Sequence, residues 1–75
     1  MEQEKLKKLI GGKLKDLRVS KNLSQKEVSD AVGMTEAGYQ NYEVARRAPS
    51  LDKLIALADF FDVSADYLLG RSDTP

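Results

Sequence analysis

An all-helical domain is what this sequence predicts, on three observations. Apolar residues recur at helical spacing along most of the chain, helix-capping residues stand directly before those stripes, and no segment alternates polar and apolar side chains with a period of two. The 75 residues, 41% of them hydrophobic, suit one small core. A domain of this size buries only about 60–65% of its unfolded surface, which leaves no room for a deep substrate cleft.

The elements follow in order. Leu6, Leu9, Ile10, Leu14 and Leu17 form an i, i+3, i+4 stripe, which predicts a first helix over 4–21. Gly11 and Gly12 interrupt it; each mid-helix glycine costs about 1 kcal/mol, so the first two turns are expected to fray. Ser24-Gln25-Lys26-Glu27 reads as a capping box, in which the serine hydroxyl takes a free amide three residues on and the glutamate reaches back. The second helix starts there, carries Val28 and Val32 one turn apart, and ends at Gly33, a residue suited to the left-handed conformation. After Met34, Thr35 caps a third helix from Glu36 to about Glu43, with Tyr39 and Tyr42 on one face and Gln40 and Asn41 elsewhere. Residues 44–49 lack a period and read as a loop. Ser50 caps helix four, with the stripe Leu51, Leu54, Ile55, Leu57, Ala58 and Phe61, broken at Asp62 and Val63. Ser64 caps a short fifth helix from Ala65 to Leu69, closed by Gly70.

Charge separates along the chain. The totals cancel, 12 basic against 12 acidic, but residues 1–50 hold ten basic and seven acidic side chains and residues 51–75 hold two and five. A net +3 portion thus precedes a net −3 portion. The basic excess gathers at Lys5, Lys7, Lys8, Lys13, Lys15, Arg18 and Lys21 and again at Arg46 and Arg47. Overall neutrality argues against nucleic-acid binding by bulk electrostatics and requires any such partner to meet a local patch.

The chemistry of enzymes is not in the sequence. With no His and no Cys, zinc fingers, disulfide scaffolds and the usual catalytic acid–base and nucleophile sets are excluded. Ser24, Thr35, Ser50 and Ser64 each precede a helical stripe and read as caps, not nucleophiles. Asp62 and Asp66 read as favourable charges beside a helix N-terminus, and Gly11-Gly12-Lys13 lacks the strand and spacing of a phosphate loop. No catalytic residue, metal ligand or cofactor is expected. No apolar run approaches the ~20 residues of a membrane span, so no membrane partner is expected, and the lack of cysteine suits a cytoplasmic protein.

What remains is a helix, a tight turn and a second helix, with the small Ser29 where the two would cross. That unit is either a scaffolding hairpin or a DNA-binding helix-turn-helix. The run from Leu14 to Gly70 resembles the DNA-binding domain of the Cro and phage-repressor (Xre-like) helix-turn-helix family. The marks are Leu17-Arg18, Leu23-Ser24-Gln25, Ser29, Gly33, Tyr42-Glu43, Pro49-Ser50 and the closing VSADYLLG. The resemblance covers residues 10–70 and implies a compact five-helix, lambda-repressor-like fold. Residues 1–9 extend helix one, and 71–75 form a polar tail or the start of a linker.

The resemblance implies a sequence-specific regulator of transcription, bacterial or phage-encoded and nucleoid-associated, that represses by binding double-stranded DNA as a homodimer on a pseudo-palindromic site. A regulatory domain C-terminal to this one is a further implied partner. Helix three would be the recognition helix, with Glu36, Ala37, Gln40 and Asn41 as base contacts. Gln and Asn can pair with adenine, Ala with a thymine methyl and Glu with cytosine; Glu36 equally suits the first turn of any helix. Gln25, Lys26, Thr35, Arg46, Arg47 and Lys21 are the phosphate candidates. Arg18 and Glu43 are implied to pair beneath helix three. Phe60, Tyr67 and Leu69, the apolar residues least needed by the core, are the candidates for self-contact.

Three departures from the family pattern stand out. Val44 and Ala45 stand where a polar residue and Gly or Asn are frequent, so the left-handed turn is expected to give way to another. Glu36 replaces a common Gln, Arg or Lys, and Gly38 loosens the recognition helix. These departures, with the zero net charge, keep a second function open: a protein-interaction module, an antagonist of a related regulator, that no longer binds DNA.

Overall fold

The computed structural model describes residues 3–75. Five helices follow one another: α1 (Gln3–Ser20), α2 (Gln25–Ala31), α3 (Glu36–Glu43), α4 (Leu51–Phe61) and α5 (Ala65–Leu68). Helix α3 is gripped between α1 and α2, and α5 packs on both α1 and α4. The core between them comprises Ile10, Leu14, Val28, Val32, Tyr39, Tyr42, Leu54, Leu57, Ala58, Phe61 and Leu68. Tyr39 and Tyr42 meet edge to face with centroids 6.3 Å apart, and Phe61 does the same with Phe60 at 5.0 Å. Such pairs add to the burial of the rings themselves. Among the described residues no helix is long and apolar enough to cross a membrane.

The start of each helix after the first lies where the cap residues put it. Ser24 and Glu27 make both halves of the capping box: the Glu27 N–H donates to Ser24 Oγ at 3.0 Å, and the Ser24 N–H donates to Glu27 Oε1 at 2.8 Å. Thr35 Oγ1 accepts from Gly38 N–H at 3.1 Å, and Ser64 Oγ accepts from Tyr67 N–H at 3.0 Å. Ser50 departs from its expected role. It stands at the N-cap of α4, but its hydroxyl donates to Asp52 Oδ1 at 2.6 Å and accepts from none of the helix amides.

The helix ends share a single device. In each, one residue turns left-handed, its N–H donates to the carbonyl three residues back, and the next N–H donates to the carbonyl five back: the Schellman motif. The left-handed residues are Asn22, Gly33, Ala45, Asp62 and Gly70, and the paired hydrogen bonds are present at all five. Asn and Asp tolerate this conformation and glycine is indifferent to it. Alanine is not, since its Cβ crowds the following carbonyl at a cost of roughly 1–2 kcal/mol. The expectation that Ala45 would replace the left-handed turn is therefore overturned: Ala45 has φ 63°, and the turn is kept against local preference because its hydrogen bonds close α3.

Three further expectations are corrected. Gly11 and Gly12 do not interrupt α1, which runs unbroken through both. Gly11 is buried, and a Cβ on it would lie 2.4 Å from the Tyr42 carbonyl oxygen and 2.8 Å from that of Glu43. The glycine is there because α1 meets the backbone of α3. In the first stripe Leu9 is exposed; a Cβ on Gly70 would meet its Cδ1 at 3.3 Å, so it borders the end of α5. In the fourth stripe Leu51 is 79% and Ile55 56% exposed, whereas Leu54, Leu57, Ala58 and Phe61 are buried. Residues 51 and 55 lie one turn apart on the edge of the stripe, and no other element covers that edge among the described residues.

Candidate functional site

The sequence places its singled-out side chains on α3 and its flanks, and the packing beneath α3 fixes how they are presented. Arg18 on α1 makes a bidentate pair with Glu43 at the end of α3, Nε to Oε2 at 2.6 Å and Nη2 to Oε1 at 3.1 Å. Its remaining Nη1 donates to the Leu23 carbonyl at 2.9 Å, so one guanidinium joins α1, the turn before α2, and α3. Gln25, the first residue of α2, donates from Nε2 to the same Glu43 Oε1 at 3.1 Å. The Glu43 side chain is only 3% exposed and that of Arg18 15%. Burial pushes the Glu43 carboxyl up, but the hydrogen bonds from Arg18 and Gln25 and the charge of Arg18 outweigh it and hold the carboxyl below its ordinary value. The Arg18 guanidinium is correspondingly raised, first by its hydrogen bonds to Glu43. Tyr39 is fully buried beside this cluster, and burial, then Glu43, raises its hydroxyl well above the ordinary value. Such a partly buried pair, with its hydrogen bonds filled, fixes orientation more surely than it adds stability.

Two contacts that no local pattern in the sequence announces complete the mount. The first is Gly11, whose missing side chain lets α1 rest on the Tyr42 and Glu43 carbonyls. The second is Lys53 on α4, whose Nζ donates to the Val32 and Gly33 carbonyls at 3.2 and 3.4 Å. An ammonium at the last carbonyls of α2 is also favoured by the helix dipole. It ties α4 to the turn between α2 and α3. Ser29 is fully buried at the α2–α3 crossing, and its hydroxyl donates to the Lys26 carbonyl at 2.9 Å.

On this mount Glu36, Ala37 and Gln40 are exposed and Asn41 half-buried. At 3.6 residues per turn the four span an arc of about 140° on α3, opposite to Tyr39 and Tyr42. Gly38, expected to loosen α3, gives its N–H to the Thr35 cap, and a Cβ there would press on Thr35 Oγ1 and Met34 Cε at 3.0 and 3.2 Å. Thr35, Lys26 and Lys21 are exposed, with Lys26 in an i, i+4 pair with Asp30 at 3.1 Å. Arg46 and Arg47, both exposed, follow α3 directly. Arg46 Nη1 donates to Asn41 Oδ1 at 3.0 Å, a link between a base-contact and a phosphate candidate that their separate reading did not anticipate. The site is thus a polar helix face with basic or hydrogen-bonding residues at both ends. Among the described residues no group of three or more potential metal ligands occurs.

The self-contact candidates are more covered than expected. Phe60 is 38% exposed, but Tyr67 and Leu69 are half-buried. Leu69 packs against the core, and the Lys13 ammonium lies 4.3 Å from the Tyr67 ring centroid, a cation–π distance.

An α2–turn–α3 unit braced by α1 and α4, with a polar face on α3, defines a helix-turn-helix protein. The helix-turn-helix family pattern matches residues 14–68, and the chain belongs to that family. Similar proteins include AnsR, an HTH-type transcriptional regulator of Bacillus subtilis, 44% identical over 59 residues that make up 79% of this chain and 51% of AnsR. YobD, of the same organism and the same printed class, is 38% identical over 84% of this chain and 56% of its own length. RstR, the transcriptional repressor of the cryptic phage CTXphi in Vibrio cholerae, is 33% identical over 88% of this chain and 60% of its own. The chain spans about half the length of the curated relatives it matches.

Proposed function

We propose that this chain is the DNA-binding domain of a cytoplasmic transcriptional regulator, a repressor that seats α3 in the major groove of a pseudo-palindromic operator. The observation that carries this reading is the rigid presentation of α3: its carboxyl end is clamped by Arg18, Gln25 and Gly11 while Glu36, Ala37, Gln40 and Asn41 face outward. Recognition of base edges needs such a fixed helix, because hydrogen bonds to bases tolerate little misplacement. Gln25, Lys26, Thr35, Arg46, Arg47 and Lys21 contact phosphates and set the register without reading sequence. Two copies, joined through Phe60, Tyr67 and Leu69, place their α3 helices in successive major grooves about 34 Å apart. The relatives' printed names, regulators and a phage repressor, support the same reading.

Selection from a random or genomic DNA library, followed by binding at several salt concentrations, tests it. A symmetric site should be enriched, and Asn41→Ala should lose sequence preference. A library with no enriched sequence, and no binding at low salt, would refute the reading.

A further inference from the structure

Asn41 is engaged three times by the turn that follows α3. Its backbone carbonyl accepts from the Arg46 N–H at 2.9 Å and the Arg47 N–H at 3.2 Å. Its side-chain Oδ1 accepts from Arg46 Nη1 at 3.0 Å. The turn is the Schellman motif built on the left-handed Ala45, so the chain reversal that ends the helix also delivers the guanidinium to the amide.

The chemistry of the two side chains makes this contact directional. A primary amide has an acceptor end and a donor end, and rotation about its last bond exchanges them. Pairing with adenine demands the oxygen toward N6 and the nitrogen toward N7; the rotated amide offers the wrong group at both positions. A guanidinium has five donors and no acceptor, so it can bind the oxygen end alone. Bound there, it occupies one of the two lone pairs of Oδ1 and leaves the other, together with both N–H groups of Nδ2, to a base. Its remaining donors stay available to a phosphate.

Resting on the DNA-binding reading above, we infer that Arg46 is a specificity-determining positioning residue. It fixes the orientation of the Asn41 amide, so the base pair read by Asn41 depends on Arg46 as well. A phosphate contact alone would act on all sequences equally; orientation of a reading group acts at one base pair.

The test uses the selected operator and a set of duplexes substituted at each base pair of the half-site, at one salt concentration, with wild type, Asn41→Ala, Arg46→Ala and the double variant. Both arginine variants should melt as their parents do, since Arg46 is exposed. Asn41→Ala should flatten discrimination at one base pair. Arg46→Ala should reduce discrimination at that same pair by roughly fivefold or more, the scale of one oriented amide–base contact, and leave the other pairs unchanged. In the Asn41→Ala background, Arg46→Ala should lower affinity without further change in discrimination, as coupled residues do in a double-mutant cycle. Equal weakening of every duplex by Arg46→Ala, with the pattern preserved, overturns the inference but not the DNA-binding reading. Indifference of Asn41→Ala at every pair of a bound operator does the same. If no duplex is selected at all, both fall together.

Discussion

Adding one methyl group to each of two adjacent glycines should move stability in opposite directions. In Gly11→Ala the new Cβ lies 2.4 Å from the Tyr42 carbonyl oxygen and 2.8 Å from that of Glu43. Neither obstacle is a side chain that can rotate away. Restoring even 3.0 Å from the present 2.4 Å requires α1 and α3 to part by at least 0.6 Å, which also stretches the Arg18–Glu43 pair. Overpacking of this kind costs about 1–3 kcal/mol and lies at the upper end where backbone must move. Better helix propensity offsets about 1 kcal/mol of it. The variant should therefore be destabilised by about 1–2 kcal/mol. A Cβ on Gly12 meets nothing within 4 Å, so Gly12→Ala keeps the propensity gain alone and should be stabilised by about 1 kcal/mol. In a domain of this size each kcal/mol moves the melting midpoint by about 4–8 °C. Thermal and urea unfolding followed by circular dichroism reads both variants, and the midpoints should lie on either side of wild type. Equal shifts in one direction would show that α1 does not rest on the α3 backbone at Gly11.

Other outcomes follow from the same geometry. Ala45→Gly should stabilise by about 0.5–1 kcal/mol, because it relieves the left-handed strain while adding some unfolded-state entropy; an unchanged urea midpoint would mean that the turn carries no strain. Glu43→Ala leaves Arg18 without its partner and should cost about 3 kcal/mol in chemical denaturation, the lower end for a buried pair. The Glu43 carboxyl is held below the ordinary 4.5, so the unfolded chain takes up its proton first as pH falls. Stability should be full above that pH and decline below it, and Glu43→Ala should lose most of this slope in acid-range melts. A remnant from Asp52 should persist, its carboxyl lowered chiefly by the Ser50 hydroxyl. Leu51→Gln and Ile55→Gln should change stability by less than about 0.5 kcal/mol, while Leu54→Ala should cost at least about 2 kcal/mol; the reverse order would mean that α4 is rotated. Arg47→Ala should weaken binding to all duplexes alike and reduce the salt slope by about 1.

Much of this protein was legible in the sequence because the signals are local. A hydroxyl or carboxylate one turn from a free amide makes a cap wherever it occurs, so Ser24, Glu27, Thr35 and Ser64 mark helix starts without reference to the rest of the chain. The polar face of α3 is legible for the same reason, since Glu36, Ala37, Gln40 and Asn41 lie within one short helix. The pairing of Arg18 with Glu43, 25 residues away, came only through resemblance to a family. Helical periodicity marks the apolar side of α4 but not its edge, and which of Leu51, Leu54 and Ile55 is covered depends on where the neighbouring helices lie.

The sequence by itself determined five helices, the starts of the last four and a polar outward face on α3, because each follows from residues within a turn or two of one another. Only the tertiary structure decided why Gly11 and Gly12 differ, how Lys53 reaches the turn of the motif, why Ala45 accepts a left-handed backbone, and that Arg46 holds Asn41. At Gly11 a contact with the backbone of α3, and at Ala45 the hydrogen bonds that close α3, override a local preference of about 1 kcal/mol. A preference that small is visible in one residue type and is settled by its neighbours in space.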